Sequence, residues 1–135
     1  MYEVTIYTDG ACSGNPGPAG IGAVLVSGDR RKEIMRAIGY STNNVAEIQA
    51  VVYALQFLRH PERTDVTLFT DSQLVCGLLG QDWKAKANQE LVALMRYLAK
   101  QCAFFRVVKV KAHNGDPLNE RAHALAREAL EKETH

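Results

Sequence analysis

Cysteine is scarce and poorly spaced for chemistry. Cys12, Cys76 and Cys102 are an odd number with no C-x-x-C pair. That argues against a disulfide framework and a zinc site, and it fits a reducing compartment. Long apolar runs are missing too. None approaches the ~20 residues of a membrane span, and Met1-Tyr2-Glu3 lacks the basic, apolar character of a signal peptide. A soluble, cytoplasmic protein without a membrane partner is expected. Nor is there an excess of charge of one sign, since net charge is +1, from 16 Lys and Arg against 15 Asp and Glu. Composition therefore carries no footprint of a nucleic-acid binder, and any polyanion site must be local. No internal repeat, linker or low-complexity tract is visible. What is there is a chain of 135 residues, 47% hydrophobic, enough for one compact domain spanning 1–135 with a sizeable core.

The element order follows from changes in apolar period. Val4 to Thr8 alternates and is β-branched and aromatic, which predicts a strand. Ile21 to Val26 and Glu33 to Tyr40 predict two more, joined by the turn "SGDRR". In "STNNVAEIQAVVYALQFLRHPE" the apolar residues Val45, Ile48, Val51, Val52, Leu55 and Leu58 recur with a helical period. Asn43 or Asn44 is placed to cap that helix, and Pro61 lies beyond its end. "DVTLFTDS" (65–72) predicts a buried strand, followed by a short helix "SQLVCGLL" and a longer one "ANQELVALMRYLAKQ". "FFRVVKVK" predicts a fifth strand, and "PLNERAHALAREALEKE" a closing helix with Pro117 near its first turn. Strands four and five each follow a helical crossover, so each can lie parallel to a neighbour, with right-handed connections. An α/β fold is expected, with one five-stranded mixed sheet, three antiparallel strands then two parallel, flanked by helices.

Two strands are predicted to end in Thr-Asp, at Asp9 and Asp71. An ionised carboxylate at the apolar centre of a sheet is costly unless it is paired, hydrogen-bonded or metal-bound. Either one alone reads as a turn or cap aspartate. Glu47 shifts the balance. At ~100° per residue it lies roughly 40° from Val51 and 20° from Leu58, bordering the stripe that faces the sheet. The plainer role for Glu47 is a helix N-terminal acid favoured by the dipole. Three acids at the margin of one core would form an oxygen-rich cluster suited to hard divalent cations such as Mg²⁺ or Mn²⁺. Two such ions about 4 Å apart are a standard device for phosphoryl transfer to water.

Four blocks, "YTDGACSGNPGPAGIGAVL", "TNNVAEIQAVVYAL", "FTDSQLV" and "VKAHNGDPLNERAHALA", occur in an order that resembles type 1 ribonuclease H over nearly the whole chain. The resemblance implies a ribonuclease H-like fold and hydrolysis of the RNA strand of RNA–DNA hybrids, leaving 5′-phosphate and 3′-hydroxyl ends. It implies two divalent ions, Mg²⁺ or Mn²⁺, with Asp9, Glu47 and Asp71 as ligands. One ion would activate the attacking water and the other would stabilise the leaving 3′-oxygen. His113 matches the family's loop histidine, implicated in proton transfer or product release; without the resemblance it reads as a solvated loop histidine. Backbone around Gly10 and Cys12, with Asn15, Asn43, Asn44 and Gln73, matches positions that line the hybrid's minor groove, where 2′-hydroxyls distinguish RNA from DNA. Thr42 and Asn88 match the pocket for a phosphate of the DNA strand. A monomer with no obligate protein partner is expected, and its partner is the hybrid.

The chain departs from the family pattern twice. Where "N-E-R-x-D" usually supplies a fourth acid, "NERAH" places His123. His123 then either ligates a metal, or contacts water or phosphate, or marks an impaired site that binds hybrid with weak catalysis. The other three acids favour an active enzyme with a modified fourth position. We expect His123 to raise the preference for Mn²⁺ over Mg²⁺, since imidazole is the poorer ligand for Mg²⁺. Second, only "GQDWKAKANQ" stands where many bacterial members insert a basic, Trp-rich helix, leaving Trp83, Lys84 and Lys86. Fewer phosphate contacts should give weaker binding with a shallower salt dependence. Arg30, Arg31 and Lys32, or Arg106, Lys109 and Lys111, either compensate or form solvated faces. Two alternatives stay open: a hybrid-binding module without full catalysis, and a nuclease of the same fold acting on another nucleic acid.

Overall fold

In the computed structural model, which describes residues 1–111 and 115–134, five strands form one sheet in the order β3-β2-β1-β4-β5. β1 (Tyr2–Cys12), β2 (Gly17–Ser27) and β3 (Arg30–Ser41) make the antiparallel meander. β4 (Thr64–Thr70) and β5 (Phe104–Lys109) are parallel to β1 and to each other. The helices are α1 (Asn43–Gln56), α2 (Gln73–Gly80), α3 (Gln89–Gln101) and α4 (Pro117–Thr134), with a 3₁₀ turn at Pro61–Arg63. The expected mixed sheet flanked by helices is what forms. No helix among the described residues is long and apolar enough to cross a membrane.

Strand alternation sorts the core into two layers. Ile6, Leu25, Val66 and Leu68 face α1–α3, where Ile48, Val51 and Met95 meet them in the main cluster. Tyr7 and Val24 face the other way, toward Ala122 and Leu125 of α4. Tyr7 also stacks on Phe69 at 4.9 Å between ring centroids.

Two sequence expectations change here. β1 does not stop at Asp9, because its pairing with β2 continues to Cys12↔Ala19 while its pairing with β4 ends at Tyr7↔Phe69. Asp9 thus sits inside one ladder and just beyond the other. The cap of α1 is Thr42, not Asn43 or Asn44. Its extended backbone (φ −115°, ψ 163°) lets its hydroxyl accept from Val45 N–H at 3.2 Å, and the two asparagines are the first helical residues.

The glycines of this region divide between a turn and close helix packing. Of the five between Ile6 and Val26, only Gly14 lies in the connection, at φ +86°. A Cβ on Gly10 would lie 2.6 Å from the Ala46 backbone carbonyl carbon and 2.7 Å from Glu47 N. A Cβ on Gly22 would lie 2.2 Å from Ala122 O. Both are close-approach positions where bare backbone lets a helix lie directly on the sheet. α4 meets this with alanines, Ala122, Ala126 and Ala129, all buried.

Candidate active site

Three elements bring three carboxylates to one end of the sheet. Asp9 is buried at 9% exposure, opposite Gly22. Gly10 lets the first turn of α1 press against β1, which brings Glu47 beside Asp9. Asp71 leaves the end of β4, and the next residue, Ser72, caps α2 by accepting from Val75 N–H at 3.1 Å. Ser72 also hydrogen-bonds Glu47, tying two of the acid-bearing elements together.

The electrostatics follow from that crowding. Burial, then the nearby Asp71 charge, push the Asp9 carboxyl above its ordinary value, against hydrogen bonds from His123 and Gly10 N–H that pull it down. Burial raises Glu47 as well, opposed by Ser72 and helped by the charges of Asp9 and Asp71. The acids thus stand close enough to repel one another, with no Lys or Arg contributing to either shift.

His123, in the second turn of α4, places Nδ1 2.5 Å from Asp9 Oδ2, while Gly10 N–H donates to Asp9 Oδ1 at 3.0 Å. Both carboxylate oxygens of Asp9 are therefore engaged. The imidazole is held over Asp9 because α4 lies flush on β2, and Arg121 secures that position. Arg121 donates from Nε and Nη2 to the two carboxylate oxygens of Glu33 on β3, each at 2.9 Å. This fork, joined by Arg31, draws the Glu33 carboxyl down to about 2. At the start of α4, Asp116 Oδ1 accepts from Leu118 and Asn119 N–H, and Asp116 also hydrogen-bonds the Tyr7 hydroxyl. Burial and Asp116 together raise the Tyr7 phenol.

Asp116, Glu33 and Arg121 escaped the sequence reading, as did the contact of Ser72 with Glu47. Asp116 before Pro117 is a legible cap signal, whereas Glu33 and Arg121 are 88 residues apart and carry no local sign.

An all-oxygen set with two acids held protonated more tightly than usual suits a hard divalent cation, whose charge would relieve the repulsion. Yet among the described residues no three His, Cys, Asp or Glu side chains stand as a ready metal cluster. The acids are gathered but not closed around a point.

The groove residues fall into one group and two outliers. Asn15 Oδ1 accepts from Asn43 N–H at 3.1 Å, and Cys12 Sγ donates to Gly17 O and Ser41 O at 3.5 and 3.3 Å. Gly10, Cys12, Asn15, Thr42, Asn43 and Asn44 thereby form one surface around the β1–β2 turn and the start of α1. Gln73 is exposed in the first turn of α2, two residues past Asp71. Asn88 precedes α3 in a left-handed conformation (φ 55°), with no side-chain cap bond. His113 lies outside the described residues.

Of the basic candidates, Lys109 stands at this end, opposite Thr70 in the β4–β5 ladder, whereas Arg106 and Arg30–Lys32 do not. Arg106 is engaged by Asp65 at 2.8 Å and Thr67 at 2.7 Å. Arg30–Lys32 begin β3 next to Ser27 and Val26, at the opposite end of the sheet from Asp9. Trp83 lies on Gly77, where an added Cβ would come 2.1 Å from the ring, and Arg96 ties that loop down through Leu78 O and Trp83 O.

A mixed sheet of this order, with acids leaving β1 and β4 at the same end, defines a ribonuclease H-like fold. The RNase H family model matches residues 1–131, and the chain belongs to the type 1 RNase H family, an enzyme of that class. It is 43% identical to the ribonuclease H of Moorella thermoacetica over 143 aligned residues, covering 96% of this chain and 93% of that one. The RNase H1 of the halophilic archaeon Halobacterium salinarum superposes with a TM-score of 0.84 at 38% identity, covering 96% of this chain and 98% of that one. LC11-RNase H1, solved in complex with an RNA/DNA hybrid, does so with a TM-score of 0.86 at 30% identity, covering 98% and 99%.

Proposed function

We propose that this protein hydrolyses the RNA strand of RNA–DNA hybrids, with Asp9, Glu47 and Asp71 holding two divalent ions, Mg²⁺ or Mn²⁺. The observation that carries this reading is the convergence of three carboxylates from β1, α1 and the end of β4, close enough to repel one another. Two bound ions would supply activation of the attacking water and charge stabilisation at the leaving 3′-oxygen. The reaction breaks the P–O3′ bond, adds the water oxygen to phosphorus, and leaves a 5′-phosphate and a 3′-hydroxyl.

The residues of this chain contribute position and selectivity. The surface around Gly10, Cys12, Asn15, Asn43 and Asn44 offers backbone and amide groups for 2′-hydroxyls in the hybrid's minor groove. Gln73 extends that surface beyond Asp71. Thr42 and Asn88 are assigned to a phosphate of the DNA strand, and His113 to proton transfer or product release. His123 stands at the family's fourth acidic position and holds Asp9 directly, which constrains one oxygen of the central ligand. We assign it a tuning role that favours Mn²⁺ over Mg²⁺, because imidazole suits the softer ion. Without the basic insertion, hybrid affinity should depend only weakly on salt.

The test is purified protein with Mg²⁺ or Mn²⁺, offered labelled RNA–DNA hybrid, double-stranded RNA and double-stranded DNA. Cleavage of the hybrid RNA strand alone is expected. Binding without cleavage would make the protein a hybrid-binding module instead. Cleavage of another duplex would assign a different substrate.

A further inference from the structure

At the opposite pole of the sheet lies a cavity of about 670 Å³, where the start of β1, the end of β2, the start of β3 and the segment after α1 meet. β1 runs from Tyr2 in this cavity to Asp9, so at ~3.3 Å per residue the two are roughly 20 Å apart. None of the proposed substrate or metal residues lines it.

Its composition is one-sided. Four of its lining residues are Arg30, Arg31, Lys32 and Arg59, and none is Asp or Glu. For a chain with 16 basic and 15 acidic residues, that is a local concentration of positive charge. Only Arg31 is paired, to Glu33 at 2.8 Å; no ion pair engages Arg30, Lys32 or Arg59 among the described residues. The floor is aliphatic, formed by Val4, Leu25 and Leu58. An apolar hollow beneath unpaired cations suits a ligand that is both anionic and apolar.

The aliphatic floor separates the two macromolecular classes that share those properties. A single-stranded nucleic acid needs free aromatic faces on which bases stack. Here Lys32 Nζ covers the Phe57 ring at 5.1 Å, and Tyr2 is stacked on His60 with centroids 6.2 Å apart. One face of each ring is engaged in this way and Tyr2 and Phe57 stay half-exposed; the floor itself is aliphatic, so the hollow accommodates an apolar side chain rather than a stacked base while carboxylates meet the rim. We infer that this cleft docks an acidic peptide segment of another protein, one carrying an apolar residue that enters the hollow between Leu25 and Leu58 while its carboxylates pair with Arg30 and Arg59. A partner protein would thus hold the enzyme without touching the acid-bearing end.

The experiment is fluorescence anisotropy with a labelled ten-residue peptide of aspartates flanking a Phe-Leu pair, titrated with the full-length protein. Saturable micromolar binding is expected, weakening with salt. The Arg30→Glu, Arg59→Glu double variant should bind at least about tenfold more weakly. Replacing the Phe-Leu pair by Ser-Ser should also cost about tenfold. The double variant should still cleave free hybrid at the wild-type rate, which shows that it is folded. Binding unchanged in the double variant, or equally good with the Ser-Ser peptide, would overturn the proposal. So would tighter binding of a ten-nucleotide oligothymidylate competing for the same site.

Discussion

Helices α1 and α4 approach the centre of the sheet from opposite faces, and each does so across glycine. On one face Gly10 lets the backbone at Ala46 and Glu47 come within the space a Cβ would fill. On the other, Gly22 does the same for α4 at Ala122 and Ala126. The packing device is shared, but the chemistry it delivers is opposite. α1 brings a carboxylate that repels Asp9, and α4 brings an imidazole that hydrogen-bonds it. Asp9 therefore sits between a group that needs a cation nearby and a group that compensates its charge directly. A site assembled this way depends on backbone contact far more than on side-chain shape.

The largest effect comes from removing Asp9, the group that both helices meet. Asp9→Asn should lower hybrid cleavage by more than the ~100-fold that loss of an outer-shell partner costs a metal site. Steady-state rates in saturating Mg²⁺ and Mn²⁺ check this, and a loss below tenfold would remove Asp9 from the centre. Next come the two approaches themselves. Gly10→Ala and Gly22→Ala should each destabilise the fold by about 1–3 kcal/mol, since the neighbours they would strike are backbone atoms. Denaturant unfolding measures it. Gly22→Ala, which displaces α4, should change the ratio of Mn²⁺ to Mg²⁺ activity, while Gly10→Ala should lower both together.

The clamp that seats α4 gives a smaller, pH-dependent effect. Glu33 is held near 2, below its ordinary 4.5, so its contribution to stability is complete above that ordinary value and fades as pH falls toward 2. Glu33→Gln should therefore be less stable than wild type at pH 7 by the small margin of an exposed ion pair. The two proteins should converge in urea midpoint as the pH is lowered through that window. The smallest effect is at Thr8, whose hydroxyl is buried without a hydrogen-bond partner among the described residues. Thr8→Val should be neutral or stabilising by about 1 kcal/mol, read from the same unfolding curves.

The architecture was legible because the apolar period changes cleanly along the chain, from alternation before Tyr40 to helical recurrence from Val45. The acids were legible for a different reason. Asp9, Glu47 and Asp71 each border an apolar segment, where a charge demands explanation. The close-approach glycines were not legible, because a Gly-Pro-rich run looks the same whether it turns the chain or admits a helix. Which of these it does depends on residues such as Ala122, a hundred positions away from Gly22. The same distance hid the partner of His123. Its flank position on α4 is visible from the sequence, but the hydrogen bond to Asp9 spans 114 residues and exists only because α4 lies flush on β2. The cap at Thr42 was masked by two adjacent asparagines, which are equally good capping residues.

Whether Asp9 is governed from both sides, with His123 acting from α4, is read from the cleavage rates of wild type, His123→Ala and His123→Asp on the same hybrid, each in Mg²⁺ and in Mn²⁺. Alanine should lower both rates, and aspartate should raise the Mg²⁺ rate relative to the Mn²⁺ rate. If alanine leaves both rates at the wild-type level, His123 has no part in the site.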